Sequence, residues 1–220
     1  TELSIITKDK YSMRKILQSQ KAYSKEPYPH WTIKEIHEQV DSTIRATKLG
    51  SRVMNNSCVK LDGLDRNKET LNQVEHLILL GCGTSYHSGL LVIKTMKQLG
   101  LFTTIQLFDG ADFTKEDIPM TGKVAAIFIS QSGETKDLHR CIDIAKANNV
   151  FTIGVVNVVD SLIAREVDCG CYLHAGREVA VASTKAFSSQ VIVLTMIAVW
   201  LSLIHISEPT RPRLLSYAVF

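Results

Sequence analysis

The residues able to do chemistry cluster in three short runs. The densest is Ser130-Gln131-Ser132-Gly133-Glu134-Thr135, which follows the uncharged apolar run Val124-Ala125-Ala126-Ile127-Phe128-Ile129. The apolar run predicts a buried strand, and the residues beyond the turn, through Ala147, predict a helix. Hydroxyls and backbone N–H groups at a helix start make an anion site, and phosphate is the expected anion. Ser130, Ser132 and Thr135 can converge on one anion from such a turn. The helix dipole adds a few tenths to ~1 kcal/mol. A Walker loop would carry Gly-Lys-Ser/Thr, which is missing here, so a small phosphorylated ligand is favoured over a nucleoside triphosphate. Helix capping alone is the competing explanation of this turn.

The second run is Gly81-Cys82-Gly83-Thr84-Ser85-Tyr86. It also joins an apolar strand to a helix, and Thr84 and Ser85 either meet a ligand or cap the helix. A dinucleotide fingerprint needs a third glycine where Tyr86 stands, so nicotinamide binding is disfavoured. The third run, residues 176–187, leads into the last long helix, with Ser183 or Thr184 expected as its N-cap. Glu178 and Lys185 within it are candidate acid/base groups or, alternatively, structural charges.

Other chemistries find little support. The seven histidines form no His-Glu-x-x-His pattern; His87, on the helix after the second run, is open to a site or a surface role. Cys169-Gly170-Cys171 lacks a second ligand pair, so buried thiols on a strand are expected rather than zinc. No metal or cofactor is predicted. The five cysteines form no disulfide framework, which fits a reducing cytoplasmic compartment. A net charge of +3, with no basic block, gives no reason to expect nucleic acid or a membrane surface as partner. Residues 1–10 lack the apolar centre of a signal peptide. The uncharged stretch 191–206 falls short of the ~20 residues that span a bilayer and is expected to be a buried helix.

The elements needed to position the three runs follow from periodicity. Strands are expected at 75–81, 104–108, 123–130, 150–156 and 170–174, and helices at 84–99, 134–148, 160–166 and 183–200. This alternation predicts an α/β fold: a three-layer αβα domain around a five-stranded parallel, flavodoxin-like sheet. The key turns, at Gly81, Ser130 and Asn157, then fall at strand carboxyl ends, on one rim. Helices are also expected at 11–24 and 32–47, the second with Trp31, Ile33, Ile36, Val40 and Ile44 at helical spacing; Pro27 and Pro29 separate the two. This gives an N-terminal helical segment over 1–60, a domain over 61–201 and a remainder over 202–220. Residues 203–212 resemble a translated sequencing adapter, so 202–220 is expected to be a non-native tail on a truncated chain.

The three runs, in this order and spacing, resemble the glutamine–fructose-6-phosphate aminotransferase family, with Val181-Ala182-Ser183-Thr184-Lys185-Ala186-Phe187 as the third motif. Tyr28-Pro29-His30-Trp31, Lys34-Glu35-Ile36 and Glu38-Gln39 resemble the segment joining that family's glutaminase and isomerase parts. The resemblance covers about residues 15–200. It implies a sugar isomerase (SIS) domain, the first of two, that binds fructose 6-phosphate or glucosamine 6-phosphate. Ser85, Ser130, Gln131, Ser132 and Thr135 match the phosphate-binding positions; Thr84, Val181 and Ser183 match positions lining the sugar. The glutaminase domain and the second SIS domain are expected as missing partners, and with them the Schiff-base lysine, the proton-moving glutamate and a ring-opening histidine. The fragment therefore carries no catalytic residue and is expected to be inactive alone; the full-length family implies a homo-oligomer. Ala180 departs from the family's glycine. Two alternatives stay open: a non-catalytic SIS regulator that senses sugar phosphates, and a stand-alone sugar-phosphate isomerase using Glu178.

Overall fold

A computed structural model describes residues 24–48, 50–55 and 58–206. The 11–24 helix, apart from its last residue, and residues 207–220 lie outside the described residues.

Five parallel strands form the centre: β3 (His76–Gly81), β4 (Thr104–Asp109), β5 (Val124–Ser130), β6 (Phe151–Val156) and β7 (Cys169–Tyr172). Their order is β4-β3-β5-β6-β7, the flavodoxin-like order expected. In β3 and β5 every residue is buried, as unbroken apolar runs require when helices cover both faces. Alternate side chains part to opposite faces. Leu77, Leu79, Ile127, Ile129 and Ile153 pack under the helices α5 (Thr84–Gln98) and α8 (Lys185–Ile206). Ile78, Leu80, Ala126 and Phe128 pack with Leu138, Cys141 and Ile142 of α6 (Lys136–Ala147) and with Ile163 of the short α7 (Leu162–Glu166). The core is thus two apolar layers divided by the sheet.

Helix α8 is the one described helix long and apolar enough to cross a membrane. Here Val193, Leu194, Ile197 and Leu201 are buried against the sheet and α5. It runs on past residue 200 to Ile206, and Ile204 and His205 are buried too.

The 32–47 stretch is two helices, α1 (Trp31–His37) and α2 (Gln39–Ala46), with the break at Glu38. Their amphipathicity is inverted. Ile33, Ile36, Val40 and Ile44 face outward, whereas Lys34, Glu35, Ser42 and Ala46 are buried. Polar bonds account for this. Arg45 donates to the His174 and Ala175 carbonyls, and Lys185 Nζ donates to Glu38 at 2.6 Å. Between α2 and β3 lie three elements that periodicity did not predict: the hairpin β1 (Val53–Asn55) with β2 (Cys58–Val59), and the short helices α3 (Asp62–Asp65) and α4 (Lys68–Asn72). Arg52, buried here, is tied to the Ala46 and Tyr172 carbonyls.

Gly170 is needed for close approach. A Cβ there would sit 2.9 Å from the backbone carbon of Gly154 on β6, leaving no side chain to move aside. Cys169 and Cys171 flank it on β7, and burial pushes their thiols up to about 12 and about 11.

Candidate functional site

The two best candidate turns flank the place where strand order reverses. One follows β3 and the other follows β5, so the crevice between them opens beyond the strand carboxyl ends, where doubly wound sheets bind ligands. A cavity of about 220 Å³ lies there. Thr84, Ser85, Ser130, Gln131, Ser132, Thr135, Val181 and Ser183 all line it, joined by Cys82, Ile129, Glu178 and Ala180. All three runs therefore meet at one cavity. His87 is not among its lining residues. A larger cleft of about 660 Å³ opens at the opposite ends of the strands, beside Lys123 and Lys146.

Neither turn spends a side chain on capping the helix that follows it. α5 begins after Gly83, whose φ of +56° suits glycine, and no side chain caps it. Thr84 and Ser85 sit inside its first turn instead. Gly81 permits this, since a Cβ there would press within 2.8 Å of the Ser85 backbone. α6 begins after Thr135, again with no side-chain cap. Two helix N-termini thus adjoin one cavity without side chains spent on capping them.

The hydroxyls are oriented by the groups that donate to them. Gln190 Nε2, from α8, donates to Ser85 Oγ at 2.9 Å, and the Glu134 N–H donates to Ser132 Oγ at 3.1 Å. The Gly133 N–H donates to Ser130 Oγ at 2.9 Å, and Ser130 and Thr135 share a hydrogen bond of 3.2 Å. A hydroxyl that accepts a bond from the protein keeps its own proton for another acceptor. With Ser130 donating to Thr135, the protons of Ser85, Ser132 and Thr135 are all available to an oxyanion. Glu134, the one carboxylate of the 130–135 turn, is drawn off to the Leu162 N–H at 2.9 Å. Among the described residues, no Lys, Arg or His lines the cavity.

The third run forms the facing wall. Glu178, not Ser183 or Thr184, caps α8: its Oε1 accepts from the Thr184 N–H at 2.9 Å and the Ala186 N–H at 3.2 Å. Its Oε2 accepts from Ser183 Oγ at 3.0 Å. The reach of a glutamate six to eight residues back was not legible from cap propensities. Lys185 is buried and paired with Glu38, the structural alternative for that charge. Burial raises the Glu38 carboxyl, but bonds and charge from Lys185 and Lys34 outweigh it and hold the group below the ordinary range. Asn157, at the end of β6, accepts from the Ala175 N–H and donates to the Gly176 carbonyl, fixing the loop's start. Asn157 stands at the strand-end turn expected after β6, whereas Gln190 was missed because an isolated amide in an apolar helix carries no motif. Among the described residues no group of His, Cys, Asp or Glu could hold a metal ion.

This fold and rim site define the class. The SIS domain family model matches residues 70–200, and the chain belongs to that family. Among curated relatives, an Acanthamoeba polyphaga mimivirus protein described as "Probable glutamine--fructose-6-phosphate aminotransferase [isomerizing]" is 44% identical over 80% of this chain. The Arabidopsis thaliana glutamine–fructose-6-phosphate aminotransferase [isomerizing] 1 is 35% identical over 86%. The chain spans only 28% of the length of each. A solved structure, the C-terminal domain of glucosamine-fructose-6-phosphate aminotransferase from Francisella tularensis, superimposes with a TM-score of 0.75 at 29% identity. That match covers 84% of this chain and 51% of the other.

Proposed function

We propose that this chain is the sugar-phosphate-binding SIS portion of a glutamine–fructose-6-phosphate aminotransferase, and that its rim cavity takes fructose 6-phosphate or glucosamine 6-phosphate. The observation that carries the reading is the donor array: three hydroxyls whose acceptor sides are already engaged, beside two helix starts free of side-chain caps. Such an array suits an oxyanion and needs no cation. Thr84, Val181 and Ser183, on the cavity's other walls, are assigned to the sugar. The names of the relatives support the choice of ligand.

The array binds; it does not by itself turn over substrate. Glu178, the one carboxylate lining the cavity among the described residues, has both oxygens committed to the start of α8 and to Ser183, which disfavours an isomerase base there. Proton transfer, amine delivery and ring opening are therefore assigned to a second SIS domain and a glutaminase domain in the longer protein, itself a cytoplasmic homo-oligomer. The described chain alone makes no glucosamine 6-phosphate.

The test is Ser132→Ala combined with Thr135→Ala, read by calorimetry with fructose 6-phosphate and with fructose. Each lost hydrogen bond to phosphate costs roughly 1.5–3 kcal/mol, about tenfold or more in affinity. The phosphorylated sugar is expected to lose that affinity and fructose to lose almost none. Equal losses for both would refute phosphate recognition by this turn.

A further inference from the structure

The loop that forms the cavity's third wall, residues 176–184, has little apolar anchorage of its own. Val179 is 39% exposed and Val181 fully exposed. What holds it is polar and comes mostly from its backbone. The most unusual holder is Glu35 on α1, only 1% exposed. Its Oε1 accepts from the Val179 N–H at 2.6 Å and from the Ala180 N–H at 3.2 Å, and Oε2 lies 3.3 Å from the same Ala180 N–H. None of the ion pairs among the described residues includes it. Ala180 and Val181 are two of the residues lining the cavity.

A buried carboxylate is a poor fastener if adhesion is the only need, since apolar packing secures a helix at lower desolvation cost. Apolar side chains for that purpose are present on α1, and they face away: Ile33 and Ile36 are outward while Glu35 is inward. What a carboxylate provides and an isoleucine cannot is direction. It accepts from successive N–H groups and so sets the path of that backbone. The neighbouring bonds work to the same end. Glu38 takes Lys185 at the start of α8, and Gln39 Oε1 accepts from Ser188 Oγ at 2.7 Å.

We propose that Glu35 is a positioning residue for the sugar-binding wall: its carboxylate holds the Val179–Ala180 backbone so that Ala180, Val181 and Ser183 face the phosphate turns. The N-terminal helical segment is then a working part of the site rather than only a linker. This rests on the sugar-phosphate reading of the cavity and deepens it. It separates the site into a phosphate floor independent of Glu35 and a sugar wall dependent on it.

The experiment uses the full 220-residue chain with two probes, inorganic phosphate and fructose 6-phosphate, in wild type, Glu35→Ala and Glu35→Gln. For Glu35→Ala we expect fructose 6-phosphate to bind about tenfold more weakly or worse, with phosphate affinity unchanged. Glu35→Gln keeps an acceptor oxygen in place and is expected to recover part of the loss. Amide hydrogen exchange at Val179 and Ala180 is expected to speed up about tenfold or more in Glu35→Ala, while β5 amides keep their wild-type protection. Unchanged sugar-phosphate affinity in Glu35→Ala would overturn the proposal. So would equal losses for both probes together with faster exchange in β5, which would mark a general destabilisation. If wild type binds neither probe, the sugar-phosphate reading itself fails, and the exchange data still decide whether Glu35 holds the loop.

Discussion

Gly133 sits at the tightest point of the phosphate turn, and Gly133→Ala is the perturbation with the clearest physical outcome. Its φ is +69°, a conformation costing an alanine about 1–2 kcal/mol. An added Cβ would also lie 2.5 Å from the Cβ of Ser161 and press on its Oγ. Ser161 is buried just before α7, so it cannot swing into solvent. Overpacking of this kind costs about 1–3 kcal/mol. The sum is about 2–5 kcal/mol, enough to lower a urea midpoint by about 1 M or more. The second substitution, Ser161→Gly, removes the colliding atoms. Because Ser161 Oγ has no hydrogen-bond partner, little is lost with it. Equilibrium urea unfolding of wild type, both single variants and the double variant closes a cycle. The double variant is expected to regain the overpacking part, about 1–3 kcal/mol, and to keep the backbone strain. Gly133→Ala with a wild-type midpoint, or strictly additive losses, would refute the packing of the turn against α7.

Two further predictions concern titrating groups. Glu38 has a depressed carboxyl, so its pairing with Lys185 and Lys34 stabilises the fold above the unfolded value of about 4.5 and is lost as pH falls through the lower folded value. Thermal unfolding between pH 6 and pH 3 is expected to show the advantage of wild type over Glu38→Gln shrinking below that point; a constant difference would contradict the pairing. Burial holds the Cys141 thiol at about 11 and those of Cys169 and Cys171 at about 12 and about 11, so iodoacetamide followed by mass spectrometry should label the exposed Cys58 well before them. Early labelling of Cys171 would show that β7 is not packed as described.

The sheet was legible because burial on both faces leaves an unmistakable trace: runs such as Leu77–Leu80 and Val124–Ile129 carry no charge, and the helices between them are charged on one side. Strand limits came within one or two residues. The turns were legible because glycine and hydroxyl residues gather where a strand meets a helix. What failed to show was anything fixed by distant polar contacts. The stripe of Ile33, Ile36, Val40 and Ile44 marks a helix but points outward, because Glu35, Glu38 and Arg45 bond to the 174–180 loop and the start of α8, some 130 or more residues away. The N-cap of α8 was assigned to Ser183 or Thr184 by proximity, whereas Glu178 reaches it from across the loop. The hairpin at 53–59 and the helices α3 and α4 are too short to generate a period.

A crystal structure of the chain with fructose 6-phosphate would decide where the anion goes. The phosphate is predicted to lie within hydrogen-bond distance of Ser132, Thr135 and Ser85 at the β3–β5 rim, with the sugar against Val181 and Ser183. Phosphate density beside Lys123 and Lys146 in the larger opposite cleft, with the rim cavity holding only water, would contradict it.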